Sequence, residues 1–395
     1  MKELSQCALG VQGSTTLAID AMFKSMRAKG EDVIGFAAGE PDFNTPESIK
    51  QAGIRAIEDN FTRYTPTAGI LPLREAVCLR LKEDCGLSYE PKQVVVASGA
   101  KSALYAVLRV LANPGDEIIV PAPYWVSYYE LIQMVGAVPV IVQTTEETGF
   151  KMTAEALQAA VTEKTKALIL NNPSNPTGAV YSKAELEVLA EVCVSQDLYV
   201  VSDEIYYRLV YGDMTFTSFA SLSEQVKERT IVINGVSKSY AMTGWRLGYA
   251  AASERIIKPM TNYLSHAASA PSSISQMAAV EALNGSQEPI KEMQQAFENR
   301  RNFFVERLNQ IEGVSCLKPE GAFYIMMNCG RLFSRELHGK LIETADDFAD
   351  VFLKIGKVAV VPGTGFGAPN YVRWSYATDF DSICEGLNRL EAFLR

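Results

Sequence analysis

Seven short, mostly apolar runs recur between residues 93 and 252: QVVVAS (93–98), EIIVPA (117–122), VPVIVQ (138–143), KALILN (166–171), LYVVSD (198–203), TIVING (230–235) and LGYAAA (247–252). Most are apolar at nearly every position rather than at alternate ones, which is the pattern of strands covered on both faces. Several of the intervening stretches carry helical spacing. Leu104, Val107, Leu108 and Leu111 fall at i, i+3, i+4 and i+7, and Leu186, Leu189, Ala190 and Cys193 do the same. NPGDE (113–117) then breaks the first of these helices before the next strand. The alternation predicts an α/β unit with a mostly parallel seven-stranded sheet covered by helices. Ligands of such sheets bind beyond the carboxyl ends of the strands.

The chain of 395 residues has room for more than one such core. From 276 to 311 the pattern becomes long amphipathic helix, interrupted near NGSQEP (284–289). GAFYIMMN (321–328), KVAVVPG (357–363) and YVRWSYA (371–377) then predict strands of a smaller α+β domain. The expected organisation is a large domain over 41–285, a small domain over 286–395 and an N-terminal segment, 1–40, packed on the small one. A net charge of −9 without a Lys/Arg block argues against nucleic acid or an anionic membrane as partner. The seven scattered cysteines read as reduced packing residues, and neither a signal-peptide core nor a run of membrane-span length is present, so a cytoplasmic protein is expected. His266 and His338 stand far apart without a Cys pair at ligand spacing, which disfavours a zinc site or a Ser-His-Asp triad and leaves no metal expected.

Polar residues cluster at the predicted strand ends. Asp203 closes one apolar run and Tyr206 follows it; Asn171, Asn172 and Asn175 follow another, and Lys238 lies just past a third. A carboxylate there pairs naturally with a fixed cation such as a pyridinium nitrogen, although Asp203 taken alone reads more readily as a helix N-cap. Tyr206 can donate to a ring phenolate, or simply pack. Lys238 sits among small and polar residues in GVSKSYAMTGWR, as an amine forming a Schiff base must be partly desolvated; most lysines are merely exposed. Arg246 and the Ser237 hydroxyl, with the amides of SGAKS (98–102, including Gly99, Ala100 and Lys101) at a helix start, suit a phosphate. Phosphate, aldehyde, pyridinium and phenolate together describe pyridoxal 5′-phosphate.

NNPSNPTG (171–178), SDEIYYRLVY (202–211), SKSYAMTGWRLGY (237–249) and YVRWSYA (371–377), in this order, resemble the class I aminotransferases of the fold-type-I pyridoxal-phosphate enzymes. The resemblance runs from AAGEPDF (37–43) to near the C-terminus. It implies that Lys238 binds the cofactor aldehyde and later shuttles a proton, and that Asp203 pairs the ring nitrogen. Tyr206 and Asn175 would bond the ring oxygen, while Trp125 and Ile205 would cover the two ring faces. Arg373 would clamp the substrate α-carboxylate with Asn175 and the Gly39 amide. Tyr64, in RYTPTAG, would reach the phosphate in a neighbouring subunit, implying a homodimer with shared active sites. At least one X-Pro bond of NNPSNPTG or PAPYW is expected to be cis.

Two other readings use less of the sequence. A nicotinamide oxidoreductase would need a G-x-G-x-x-G opening the first βαβ unit, and PGTGFG (362–367) is not so placed; a turn that positions Arg373 explains it better. A regulator fused to a DNA-binding domain would need more chain ahead of residue 37. For substrate, Lys101, Ser14 and Thr16 resemble the distal-carboxylate partners of a subgroup of bacterial aspartate aminotransferases. This implies aspartate or glutamate as donor with 2-oxoglutarate or oxaloacetate as acceptor. Lys101 in solvent, or lending only its amide, is the plain alternative, and a compact ammonium would also admit an aromatic or prephenate-like substrate.

Overall fold

A computed structural model describes residues 2–395. Its centre is one seven-stranded sheet built from β1 (Val94–Ala97), β2 (Glu117–Ala122), β3 (Val138–Gln143), β4 (Thr165–Asn171), β5 (Tyr199–Asp203), β6 (Thr230–Gly235) and β7 (Gly248–Ala251). The spatial order is β1-β7-β6-β5-β4-β2-β3. All pairs are parallel except those of β7, which runs antiparallel to both β1 and β6. β1, β6 and β7 are buried at every residue, as their largely apolar composition allows; β3, at the edge, is only partly covered.

Helix α1 (Ala100–Leu111) starts at the end of β1 and buries Leu104, Val107, Leu108 and Leu111 against the sheet, the same four positions that carry the helical spacing. The helical region near 276–311 is two helices, α2 (Ser273–Asn284) and α3 (Glu288–Leu308), separated by Gly285–Gln287. α2 packs on the core around Ile49, Leu73 and Val77, whereas α3 sends Met293, Phe297 and Phe304 into a different core with Phe323, Phe348 and Trp374. That second core lies beside a small antiparallel sheet in which β8 (Tyr324–Asn328) and β9 (Tyr371–Ser375) are the middle strands. Near the N-terminus Ile34–Gly35 pairs in parallel with Val358–Ala359, and Ile19, Phe23 and Met26 cover Val33 and Leu353. Residues nearer the start touch the large sheet's periphery instead, where the Gln12 amide donates to Glu130 at 3.1 Å.

The peptide bonds before Pro123, Pro173 and Pro176 are cis, so PAPYW contains one and NNPSNPTG two. PGTGFG folds into a short 3-10 turn over Gly363–Phe366 leading into β9. A Cβ on Gly363 would stand 2.1 Å from the Ala368 carbonyl oxygen, so only glycine lets this turn close. Among the described residues no helix is long and apolar enough to cross a membrane.

Candidate active site

The carboxyl ends of β4 and β5 stand side by side, Asn171 opposite Asp203 in register, and open into a cavity of about 370 Å³. Its lining brings together Lys238, Asp203, Tyr206, Asn175, Trp125, Arg246, Ser237, Ala100, Lys101, Gly39, Arg373, Ser14 and Thr16. Gly99 stands behind the lining, and Tyr64 lies outside it, 99% exposed.

Asp203 is buried, and its carboxylate accepts the Tyr128 hydroxyl at 2.5 Å and the Ile205 amide at 3.3 Å. Burial pushes its pKa up to about 6, with those donors and the Lys238 charge pulling the other way. Lys238 Nζ donates to the Gly39 carbonyl, and burial lowers its pKa to about 8, a value at which the free amine is accessible. Burial is thus the main perturbation on both, in opposite directions because the buried charges are opposite.

Arg373 comes from β9 and is 1% exposed. It donates to Asn175 Oδ1 and to the Ala37 carbonyl, both at 2.9 Å, and its guanidinium lies over the Tyr324 and Phe366 rings at 4.4 and 5.0 Å. Its Nε has no partner in this buried position. An uncompensated buried guanidinium is costly unless an anion joins it, as burial's lowering of its pKa also indicates. With Oδ1 committed to Arg373, Asn175 has its Nδ2 donor left for another acceptor.

At the other elements, Gly99 (φ 89°) bends the chain from β1 into α1, whose first amides have no intrahelical acceptor. A Cβ on Gly99 would stand 2.5 Å from Arg246 Nη2, so the glycine is what lets the guanidinium approach the helix start. Amides, the Ser237 hydroxyl and Arg246 make an anion cup. Lys101 Nζ lies 4.8 Å over the Trp125 ring, and burial together with Arg246 lowers its pKa. Ser14 caps the helix Thr15–Ala28 by accepting the Leu17 amide at 3.4 Å.

The donor set therefore fits pyridoxal 5′-phosphate: a buried carboxylate for a cationic ring nitrogen, an amine of lowered pKa for an aldehyde, an anion cup for a phosphate. Among the lining residues not singled out from sequence, two bond the proposed site groups directly, Tyr128 on Asp203 and Tyr324 between Tyr206 and Arg373. Tyr128, in the first turn of the helix Ser127–Met134, meets the Trp125 ring edge to face at 5.4 Å.

A family model described as aminotransferase class I and II matches residues 31–390. The chain is 48% identical over 381 residues to the aspartate aminotransferase of Bacillus subtilis (strain 168), covering 96% of each. It is 44% identical over 395 residues to a probable aspartate/prephenate aminotransferase of Aquifex aeolicus (strain VF5), covering 100% of this chain and 99% of that one. The crystal structure of the aspartate aminotransferase from Rhizobium meliloti matches with a TM-score of 0.96 at 41% identity, covering 100% of this chain and 99% of that one.

Proposed function

The chain belongs to the class I and II aminotransferases, and from that premise we propose that it transfers the amino group of aspartate or glutamate to 2-oxoglutarate or oxaloacetate. Pyridoxal 5′-phosphate, when bound in the cavity, would supply an aldehyde to carry the amino group and an electron-withdrawing ring. The remaining work falls to the chain's own residues. Asp203 holds the proton on the ring nitrogen, and the Tyr206 hydroxyl with Asn175 Nδ2 serves the ring oxygen. Ser237, Arg246 and the amides of Ala100 and Lys101 hold the phosphate, with Gly99 giving Arg246 its room. Trp125 and Ile205 cover the ring faces. Arg373 takes the substrate α-carboxylate in a bidentate pair, steadied by Asn175 and flanked by Gly39. Lys238 Nζ would move the substrate Cα proton; its lowered pKa leaves it able to accept one near neutrality.

One observation carries the dicarboxylate preference: the cavity that contains the buried Arg373 also presents a second free cation, Lys101, with Ser14 and Thr16 beside it. A substrate with two carboxylates satisfies both. Stopped assays with a panel of donors and 2-oxoglutarate test this, with kcat/KM for aspartate and glutamate expected to exceed those for alanine and phenylalanine by about tenfold or more, roughly 1.4 kcal/mol. Leu17, Leu104 and Trp125 also line the cavity and favour, as the second reading, an aromatic or prephenate-like donor. Preference for phenylalanine over aspartate in that panel would establish the second reading over the first.

The exposed Tyr64 supports a homodimer as the working unit, since it lies outside its own subunit's cavity while Ile54, Ile57 and Phe61 near it are also exposed. A cytoplasmic setting suits seven free cysteines.

A further inference from the structure

Tyr324 opens β8, is 1% exposed, and lies between the two groups that the proposed reaction must coordinate. Its hydroxyl is 2.9 Å from the Tyr206 hydroxyl, and its ring is the platform beneath the Arg373 guanidinium at 4.4 Å. The two phenols meet nearly edge to face, 5.8 Å between centroids, and Phe323 braces both rings. A Cβ on Gly39 would come within 3.0 Å of the Tyr324 oxygen, so the hydroxyl is held closely on that side too.

Two hydroxyls share one hydrogen bond here, and each has a single proton to give. If Tyr206 spends its proton on Tyr324, it has none for the cofactor's ring oxygen. We propose that Tyr324 is a positioning residue for the reaction: it donates to Tyr206, directs the Tyr206 proton to the ring oxygen, and strengthens that second hydrogen bond by polarising it. This rests on the cofactor reading given above. Hydrogen bonds in series reinforce one another, and the Arg373 charge over the Tyr324 ring makes that phenol the better donor of the pair.

The consequence is readable in the visible absorbance of the cofactor joined to Lys238. The ring oxygen is most negative when the linking nitrogen has lost its proton. A donor aimed at that oxygen therefore stabilises the deprotonated form and holds the titration midpoint down. Arg373, Glu40 and Tyr206 face Tyr324; Arg373 and Asp203 face Tyr206; Glu40, Arg373, Arg246 and Asp203 surround Lys238. All of these remain when only the Tyr324 oxygen is removed.

The experiment titrates the holoenzyme by absorbance as wild type, Tyr324→Phe, Tyr206→Phe and the double variant, with thermal midpoints recorded for each. Phenylalanine keeps the ring against Phe323 and Arg373, so folding is preserved. Tyr206→Phe should raise the midpoint most, and Tyr324→Phe should raise it by about 0.3–0.5 unit. The double variant should match Tyr206→Phe. An unchanged midpoint in Tyr324→Phe, with a raised KM for aspartate, would place the hydroxyl on the substrate and overturn the proposal; so would a shift that persists undiminished in the Tyr206→Phe background. Failure of the cofactor reading is separate and visible in the wild type, as no visible band after incubation with pyridoxal 5′-phosphate.

Discussion

Asp203 and Lys238 are tuned by the same dry surroundings. With its pKa near 6, Asp203 is protonated in the cofactor-free protein at acid pH, and a cationic ring nitrogen can pair only with its ionised form. Cofactor binding must then expel a proton, so affinity falls as pH drops through 6, by about fivefold from pH 6 to pH 5. Fluorescence titration of the cofactor-free protein with pyridoxal 5′-phosphate measures this; Asp203→Asn should flatten the dependence, and a wild-type affinity unchanged over that interval would remove Asp203 from the ring nitrogen. Lys238→Ala should retain cofactor through Arg246 and Trp125 but lose about 10³-fold in turnover. Lys101→Ser should cost about tenfold in kcat/KM for aspartate and leave alanine nearly unchanged, whereas an equal loss for all donors would assign Lys101 to the phosphate. Asp203, Lys238 and Arg246 were legible because charge in an apolar or small-residue setting is conspicuous, whereas Arg373 was reached only through the family resemblance of YVRWSYA. Tyr128 and Tyr324 were not legible, because a phenol in an apolar run reads as packing. What marks them is a partner 75 or 118 residues away, and no local pattern encodes that.

At the scale of elements, each of the seven apolar runs became a strand, since short, mostly apolar segments between turns are stable when covered on both faces of a sheet. Direction is carried by the connections instead. The segment from β6 to β7 contains Lys238 and Arg246 and no long helix, too little for a parallel crossover, so β7 returns antiparallel. The strand order is not encoded in periodicity at all. Where two elements join, a single residue sets the chemistry. Gly99 has φ 89° and a Cβ there would displace Arg246 Nη2. Gly99→Ala is therefore expected to weaken cofactor retention at least about tenfold, from loss of one charge-assisted contact, and to lower the thermal midpoint through left-handed strain. Equilibrium dialysis with the cofactor gives the first quantity and calorimetry the second; unaltered retention would detach Arg246 from the phosphate.

Over the whole molecule, the change of core between α2 and α3 supports our proposed division at residues 285–286, with residues 41–285 around the large sheet, 286–395 around Phe297, Phe323 and Trp374, and 1–40 associated chiefly with the latter through Ile34–Gly35. The Asp42–Arg300 pair, at 2.7 and 2.9 Å, ties the loop that carries Gly39 to α3, and Arg373 of the small part donates to Asn175 of the large one, so the two parts meet at the site itself. A third contribution comes, in the proposed dimer, from Tyr64 of the other subunit. A hydrogen bond to a charged phosphate contributes about 1.5–3 kcal/mol, so Tyr64→Phe should weaken cofactor binding at least tenfold without altering the fold. Mixing subunits decides whether the residue works across the interface. A heterodimer of one Tyr64→Phe and one Lys238→Ala subunit has one site with an intact Lys238 and an intact Tyr64 donated by its neighbour. That site should bind cofactor and turn over as the wild type does, at half the wild-type activity per dimer. If Tyr64 served its own subunit, the only site with Lys238 would still lack the hydroxyl, and the heterodimer would show the weakened cofactor affinity of Tyr64→Phe.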